Sequence, residues 1–132
     1  MIVVDASVLA DSLADDGTRG DRARAAIRAA SEVAAPDIID IETMSALRRL
    51  CVVHRTLTPR RFAVAVGDLA VAPLERHPSR ALLRRVYDLR NNLTAYDAAY
   101  VALAEALRCD LVTADADLAG APGPRCSIQL LA

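Results

Sequence analysis

Four carboxylates carry the chemistry this sequence can support: Asp5, Glu42, Asp97 and Asp115. Asp5 follows the apolar run Ile2-Val3-Val4, and Asp115 comes just after Leu111-Val112-Thr113. Both stand past the end of an expected buried strand, which is where open α/β sheets bind their ligands. Asp97 lies in Thr94-Ala95-Tyr96-Asp97, and the turn after it, Ala98 to Ala104, is apolar on every side. A carboxylate at the mouth of such a buried helix is costly unless it is paired or bound to a cation. Projected at about 100° per residue, Glu42 falls beside Ala46 and Val53, on the edge of an apolar stripe and looking inward over a rim. Inward acids from different elements repel one another unless a divalent cation neutralises them. Hard oxygen ligands suit Mg²⁺ or Mn²⁺, which bind through a few carboxylates, waters and substrate phosphate. The constellation predicts phosphoryl chemistry.

Each acid also has a commonplace reading. Asp5 is a good N-cap for a helix starting at Ala6, and Thr94 with Asp97 forms a capping box with a shortened acid. Glu42 has an alternative as a solvated partner of Arg49. Asp117 is either a fifth ligand or a turn residue. Asp11, Asp15, Asp16, Asp37 and Asp40 read as helix-end or surface acids without a chemical role.

The elements that must position these acids follow from periodicity. Ile2 to Val4 reads as a buried strand feeding a helix over Ala6 to Leu13, closed by Asp15-Asp16-Gly17. Residues 18 to 33 give an alanine- and arginine-rich helix, Val33 to Pro36 a short strand, and Ile38 to His54 a third helix. Thr58-Pro59 starts another helix running to Leu69, and Val71 to Leu74 is the candidate third strand. Ser79 caps a helix through Arg90, Asn91-Asn92 turns, and Thr94 starts a helix ending near Arg108. Leu111 to Thr113 and Ser127 to Leu131 complete the strands, the latter at an edge. Strands alternating with helices predict one α/β domain over residues 1 to 132, a parallel sheet covered on both faces.

Composition narrows the alternatives. All 16 basic residues are arginine, so no Walker A lysine and no Schiff-base lysine exist. A dehalogenase-like phosphatase and a phosphoacceptor receiver domain are disfavoured by the same absence. Three cysteines without C-x-x-C spacing and two distant histidines give neither a disulfide framework nor a zinc site, and the cysteines read as reduced packing residues. Residues 43 to 90 hold ten arginines against three acids, +7, while the rest holds six against fourteen, −8. A cationic surface suited to a phosphate backbone thus adjoins an acidic cluster suited to cations. The arginines of residues 48 to 61 and 76 to 90 are expected to position that backbone. No apolar run approaches a membrane span and no basic leader precedes Asp5, so no membrane association and a cytoplasmic location are expected.

The motifs Val4-Asp5-Ala6-Ser7, Ile41-Glu42, Leu93 to Glu105 and Leu111-Val112-Thr113-Ala114-Asp115, in that order, resemble the PIN-domain family. Within it they are similar to the VapC toxins of toxin-antitoxin pairs. The resemblance spans essentially the whole chain. It implies a three-layer α/β/α fold with a mostly parallel central sheet flanked by helices. It implies a metal site of Asp5, Glu42, Asp97 and Asp115, with Asp117 and Ser7 or Thr113 as accessories. It also implies Mg²⁺- or Mn²⁺-dependent endonucleolytic cleavage of RNA, a homodimer, and neutralisation by a VapB-type antitoxin in a hetero-oligomer. A housekeeping RNA-processing nuclease and a non-catalytic binding module are the competing readings.

Overall fold

The computed structural model describes residues 1–131. Five strands, β1 (Ile2–Val4), β2 (Val33–Pro36), β3 (Glu75–His77), β4 (Asp110–Thr113) and β5 (Ile128–Leu130), form one sheet in the order β3-β2-β1-β4-β5. Every pairing is parallel, with Val3 opposite both Ala34 and Leu111. The helices are α1 (Ala6–Ala14), α2 (Thr18–Ala29), α3 (Ile39–Arg48), α4 (Pro59–Ala70), α5 (Leu83–Asp88), α6 (Ala95–Leu107) and α7 (Ala116–Gly120). Helices α1 to α4 pack among themselves, and α6 packs on β1, β2 and β4 with α5 against it.

The buried positions of the central strands are mostly apolar because helices cover both faces. Val3, Val4, Leu111 and Val112 are buried together with Val101 and Leu103 of α6 and Val8 and Leu9 of α1. A smaller cluster of Ala10, Leu47, Leu57 and Ala65 joins α1, α3 and α4. The chain leaves β1 toward β2 on one side and reaches β4 on the other. A crevice therefore opens between the carboxyl ends of β1 and β4.

Several boundaries differ from the sequence expectation. The third strand is Glu75–His77, not Val71 to Leu74. Val71 ends α4 and is 79% exposed, and Pro73 brings no N–H to a ladder. Arg76 then fixes the register: its guanidinium donates to the carbonyls of Leu69, Ala72 and Leu74 and grips both oxygens of Asp40, at 2.8 and 3.0 Å. The third helix is α-helical only to Arg48 and continues from Arg49 to Val53 as a π-helix. Ser79 does not cap. Residues 79 to 82 form a 3₁₀ turn, the Ser79 N–H donates to Asp37 Oδ1, and α5 stops at Asp88 rather than Arg90.

Some acids set aside in the sequence have structural work. Asp15 accepts from the N–H groups of Gly17 and Gly20, starting α2 where Gly17 has no side chain to do so. A Cβ on Gly20 would lie 1.8 Å from the Asp15 carbonyl oxygen, so only glycine admits this approach. Asp11 is not a surface acid: it is buried and receives Arg19 at 3.1 Å. Cys109 and Cys126 pack against the main core, and Cys51 against the smaller cluster.

Candidate active site

Asp5 and Asp115 emerge from the two strands that flank the crevice, and both cap the helix that follows. Asp5 Oδ1 accepts from Val8 N at 3.1 Å and from the Ser7 hydroxyl; Oδ2 accepts from the Thr113 hydroxyl. Asp115 Oδ1 accepts from the N–H groups of Asp117 and Leu118. The cap and ligand readings are thus compatible, since a cap uses only part of a carboxylate's capacity. Thr113 Oγ1 also accepts from Asp115 N at 3.0 Å, and Ser7 Oγ from Ala114 N at 3.1 Å. Two hydroxyls therefore stitch the ends of β1 and β4 into a single unit.

Asp97 arrives from the first turn of α6. Thr94 accepts from its N–H at 3.2 Å, but the reciprocal bond of a capping box, from the Thr94 N–H to the Asp97 carboxylate, does not form. Glu42 comes from α3, and its Oε1 accepts from the buried phenol of Tyr100 at 2.6 Å. It makes no ion pair with Arg49.

All four acids line one cavity of about 560 Å³, together with Ser7, Ser45, Arg49, Tyr96 and Tyr100. Asp117 lies outside that lining and is exposed, its backbone N–H serving Asp115. Burial is the main reason the pKa values of Asp5, Glu42 and Asp97 are raised. Mutual repulsion adds to it: Asp115 acts on Asp5 and Asp97, and Asp97 and Asp5 act on Glu42. Hydrogen bonds from Ser7, Thr113 and Val8 pull Asp5 the other way, and Tyr100 does the same for Glu42. Desolvation and contact with the carboxylate hold the Tyr100 hydroxyl far above its ordinary value, so it remains a donor.

The donor set is all oxygen, the chemistry of a hard divalent cation. Among the described residues no group of three or more His, Cys, Asp or Glu side chains is placed to hold one metal ion together. A cation that takes one or two carboxylates and keeps several waters fits such an open arrangement, and one that needs a full protein shell does not.

Sequence reasoning missed Tyr100 as a site residue. Its signal was the placement of a polar-tipped aromatic three residues after Asp97, on the same side of an otherwise apolar helix. Three expected phosphate-binding arginines have partners elsewhere, Arg61 pairing with Asp16 at 3.5 Å. Arg76 is saturated as described, and Arg85 grips Glu105 at 2.7 and 3.1 Å and the Gly123 carbonyl at 3.1 Å.

Comparison with known proteins agrees with this architecture. The PIN-domain family model matches residues 2–124. Ribonuclease VapC9 of Mycobacterium tuberculosis is 43% identical over 133 residues, covering 99% of this chain and 98% of its own. Among solved structures, M. tuberculosis VapC20, a sarcin-ricin loop cleaving toxin, superposes with a TM-score of 0.68 at 17% identity, over 89% of this chain and 92% of that one. A toxin-antitoxin complex from Klebsiella pneumoniae gives 0.63 at 23% identity, over 96% and 99%. The chain belongs to the PIN-domain family and, within it, to the VapC group.

Proposed function

We propose that this protein is a divalent-metal-dependent endoribonuclease, the toxin of a toxin-antitoxin pair, with Asp5, Glu42, Asp97 and Asp115 as its working acids. The observation that carries the reading is the convergence of four carboxylates from β1, α3, α6 and β4 on one cavity, three of them with raised pKa values. The full-length likeness to a ribonuclease supplies the substrate class.

Asp5, Asp97 and Asp115 are the residues that would hold one or two Mg²⁺ or Mn²⁺ ions, each through one or two carboxylates and otherwise through water, with Glu42 at their edge. A bound cation of this kind supplies Lewis-acid activation of water and neutralises charge on the scissile phosphate. Asp5 is pre-oriented for holding it by Ser7, Thr113 and Val8. Glu42 keeps Oε2 free while Tyr100 fixes Oε1, so Oε2 is the atom to take a proton from the attacking water. Its raised pKa brings it nearer the working pH and makes it a better base. Thr113 ties Asp115 to the same frame.

A small VapB-type antitoxin is the partner in this reading, supported by the likeness to a toxin-antitoxin complex. A homodimer belongs to it too, and exposed Ile41, Val52, Val53 and Val64 offer apolar surface for assembly. No described helix is long and apolar enough to cross a membrane, and we place the protein in the cytoplasm. The test is cleavage of total bacterial RNA by antitoxin-free protein with Mg²⁺ or Mn²⁺, the new ends mapped by sequencing. Discrete cuts that vanish with EDTA, Asp5→Asn and Asp97→Asn but persist in Asp117→Asn are expected. Identical RNA profiles from wild type and Asp5→Asn would sink the reading.

A further inference from the structure

The cavity is not lined by acids alone. One wall is the face of α3 carrying Glu42 and Ser45 and extending to Arg49; the other is the start of α6, with Tyr96, Asp97 and Tyr100. Glu42 and Arg49 are seven residues apart, so they share a helix face about 10 Å apart along the axis. At Arg49 the helix passes from α to π geometry, a widening often found at functional sites.

Arg49 is exposed and forms no ion pair with any described residue, although four carboxylates line the same cavity. Five arginines, Arg19, Arg24, Arg61, Arg76 and Arg85, find acidic partners, whereas Arg49 lines a cavity with four carboxylates and pairs with none of them. Tyr96, on α6, lines the same cavity and is 60% exposed, unlike the buried Tyr100. A pocket that only held cations would have no use for a guanidinium, which repels them, or for an exposed ring. A chain that alternates phosphates and flat bases uses both.

The geometry points to Arg49 and Tyr96 as the elements that position single-stranded RNA in this cavity. The guanidinium takes a phosphate flanking the scissile one, and the ring stacks on a base of the same segment. The separation from Glu42 assigns Arg49 to a neighbouring phosphate rather than the one attacked. A single strand is required because bases paired in an A-form helix do not present their faces to a side chain. This inference rests on the ribonuclease reading and extends it to how the substrate is held.

The test measures binding apart from cleavage. In an Asp5→Asn background, a fluorescein-labelled random-sequence single-stranded RNA oligomer is titrated by fluorescence anisotropy over a range of salt concentrations. Arg49→Gln should weaken binding and reduce the slope of log K against log salt by about 0.7, the value of one phosphate contact on a single strand. Arg49→Lys should restore the slope while recovering only part of the affinity. Tyr96→Ala should weaken binding about fivefold or more without altering the slope, and Tyr96→Phe should not weaken it. In the active protein, Arg49→Gln and Tyr96→Ala should raise KM more than they lower kcat. If the active protein cleaves RNA but Arg49→Gln keeps the wild-type slope and Tyr96→Ala the wild-type affinity, the positioning role is wrong and the ribonuclease stands. If the protein neither binds nor cleaves RNA, the ribonuclease reading falls, and this one with it.

Discussion

The Tyr100 phenol on α6 donates to Glu42 Oε1 on α3 at 2.6 Å, joining the two walls of the acidic cavity through a carboxylate. This bond fixes the direction of Glu42 and lowers a pKa that burial raises. Tyr100→Phe removes the donor with little change of volume. The Glu42 pKa should then rise further, moving the acid limb of the cleavage pH profile to higher pH. A hydrogen bond to a charged group is worth about 1.5–3 kcal/mol, so kcat should fall roughly tenfold or more if positioning is lost. An unmoved acid limb would show that Glu42 does not titrate in the reaction.

The hydroxyl of Thr113 donates to Asp5 and accepts from the Asp115 N–H while fully buried. Thr113→Val leaves the buried Asp5 carboxylate oxygen and the partly buried Asp115 N–H without partners, at a cost of about 1–3 kcal/mol. Urea denaturation should show this loss, and Thr113→Ser should recover most of it because the hydroxyl is kept. Cleavage should follow the same order, since both strand-end acids depend on that one oxygen.

Stability should depend on pH in an unusual sense. Asp5, Glu42 and Asp97 have folded-state pKa values above their ordinary 3.8 and 4.5, so the folded chain binds more protons than the unfolded chain in the interval between. Their contribution to stability is therefore largest below the ordinary values and is lost as pH rises through the raised ones. Melting of metal-free protein should shift upward as pH is lowered from neutral toward that interval. Glu105, held low by Arg85 and the Arg125 N–H against the opposing effect of burial, acts in the opposite sense, but only below 4.5. Mg²⁺ or Mn²⁺ at neutral pH should replace the proton's effect, adding about 2.7 kcal/mol at a hundredfold excess over Kd. That gain should be absent in Asp97→Asn.

Arg85 and Glu105, with side chains 22% and 15% exposed, form a clamp that also holds the N–H of Arg125 at 2.7 Å and the Gly123 carbonyl. It ties the loop before β5 to α5 and α6. Glu105→Gln should cost about 2 kcal/mol, because the partly buried guanidinium loses its counter-charge. Hydrogen exchange should locate the loss at residues 121 to 130, with Asp5 and its neighbours unaffected. Uniform loosening across the sheet would contradict a local clamp.

The four acids were legible one at a time, because each stands at a strand end, a helix start or the rim of an apolar stripe, and local periodicity reports those places. The parallel sheet was legible for the same reason. Residues 71 to 77 were misplaced because apolar content favoured Val71 to Leu74, whereas the strand is set by a salt bridge from Arg76 to Asp40, 36 residues away. Ser79 was misread as a cap for a similar reason, its N–H being claimed by Asp37 from another element.

The sequence by itself determined the α/β alternation, the oxygen-only chemistry and the absence of lysine- or histidine-based alternatives, since residue types and short-range spacing decide those. Only the tertiary structure decided that Asp5, Glu42, Asp97 and Asp115 share one cavity, that Tyr100 holds Glu42, and that Arg49 is free where Arg76 and Arg85 are not. The physical reason is that a charged side chain takes its role from its partners. Those partners come from elements 20 to 108 residues away, brought together by burial of an apolar core that has no preference among carboxylates.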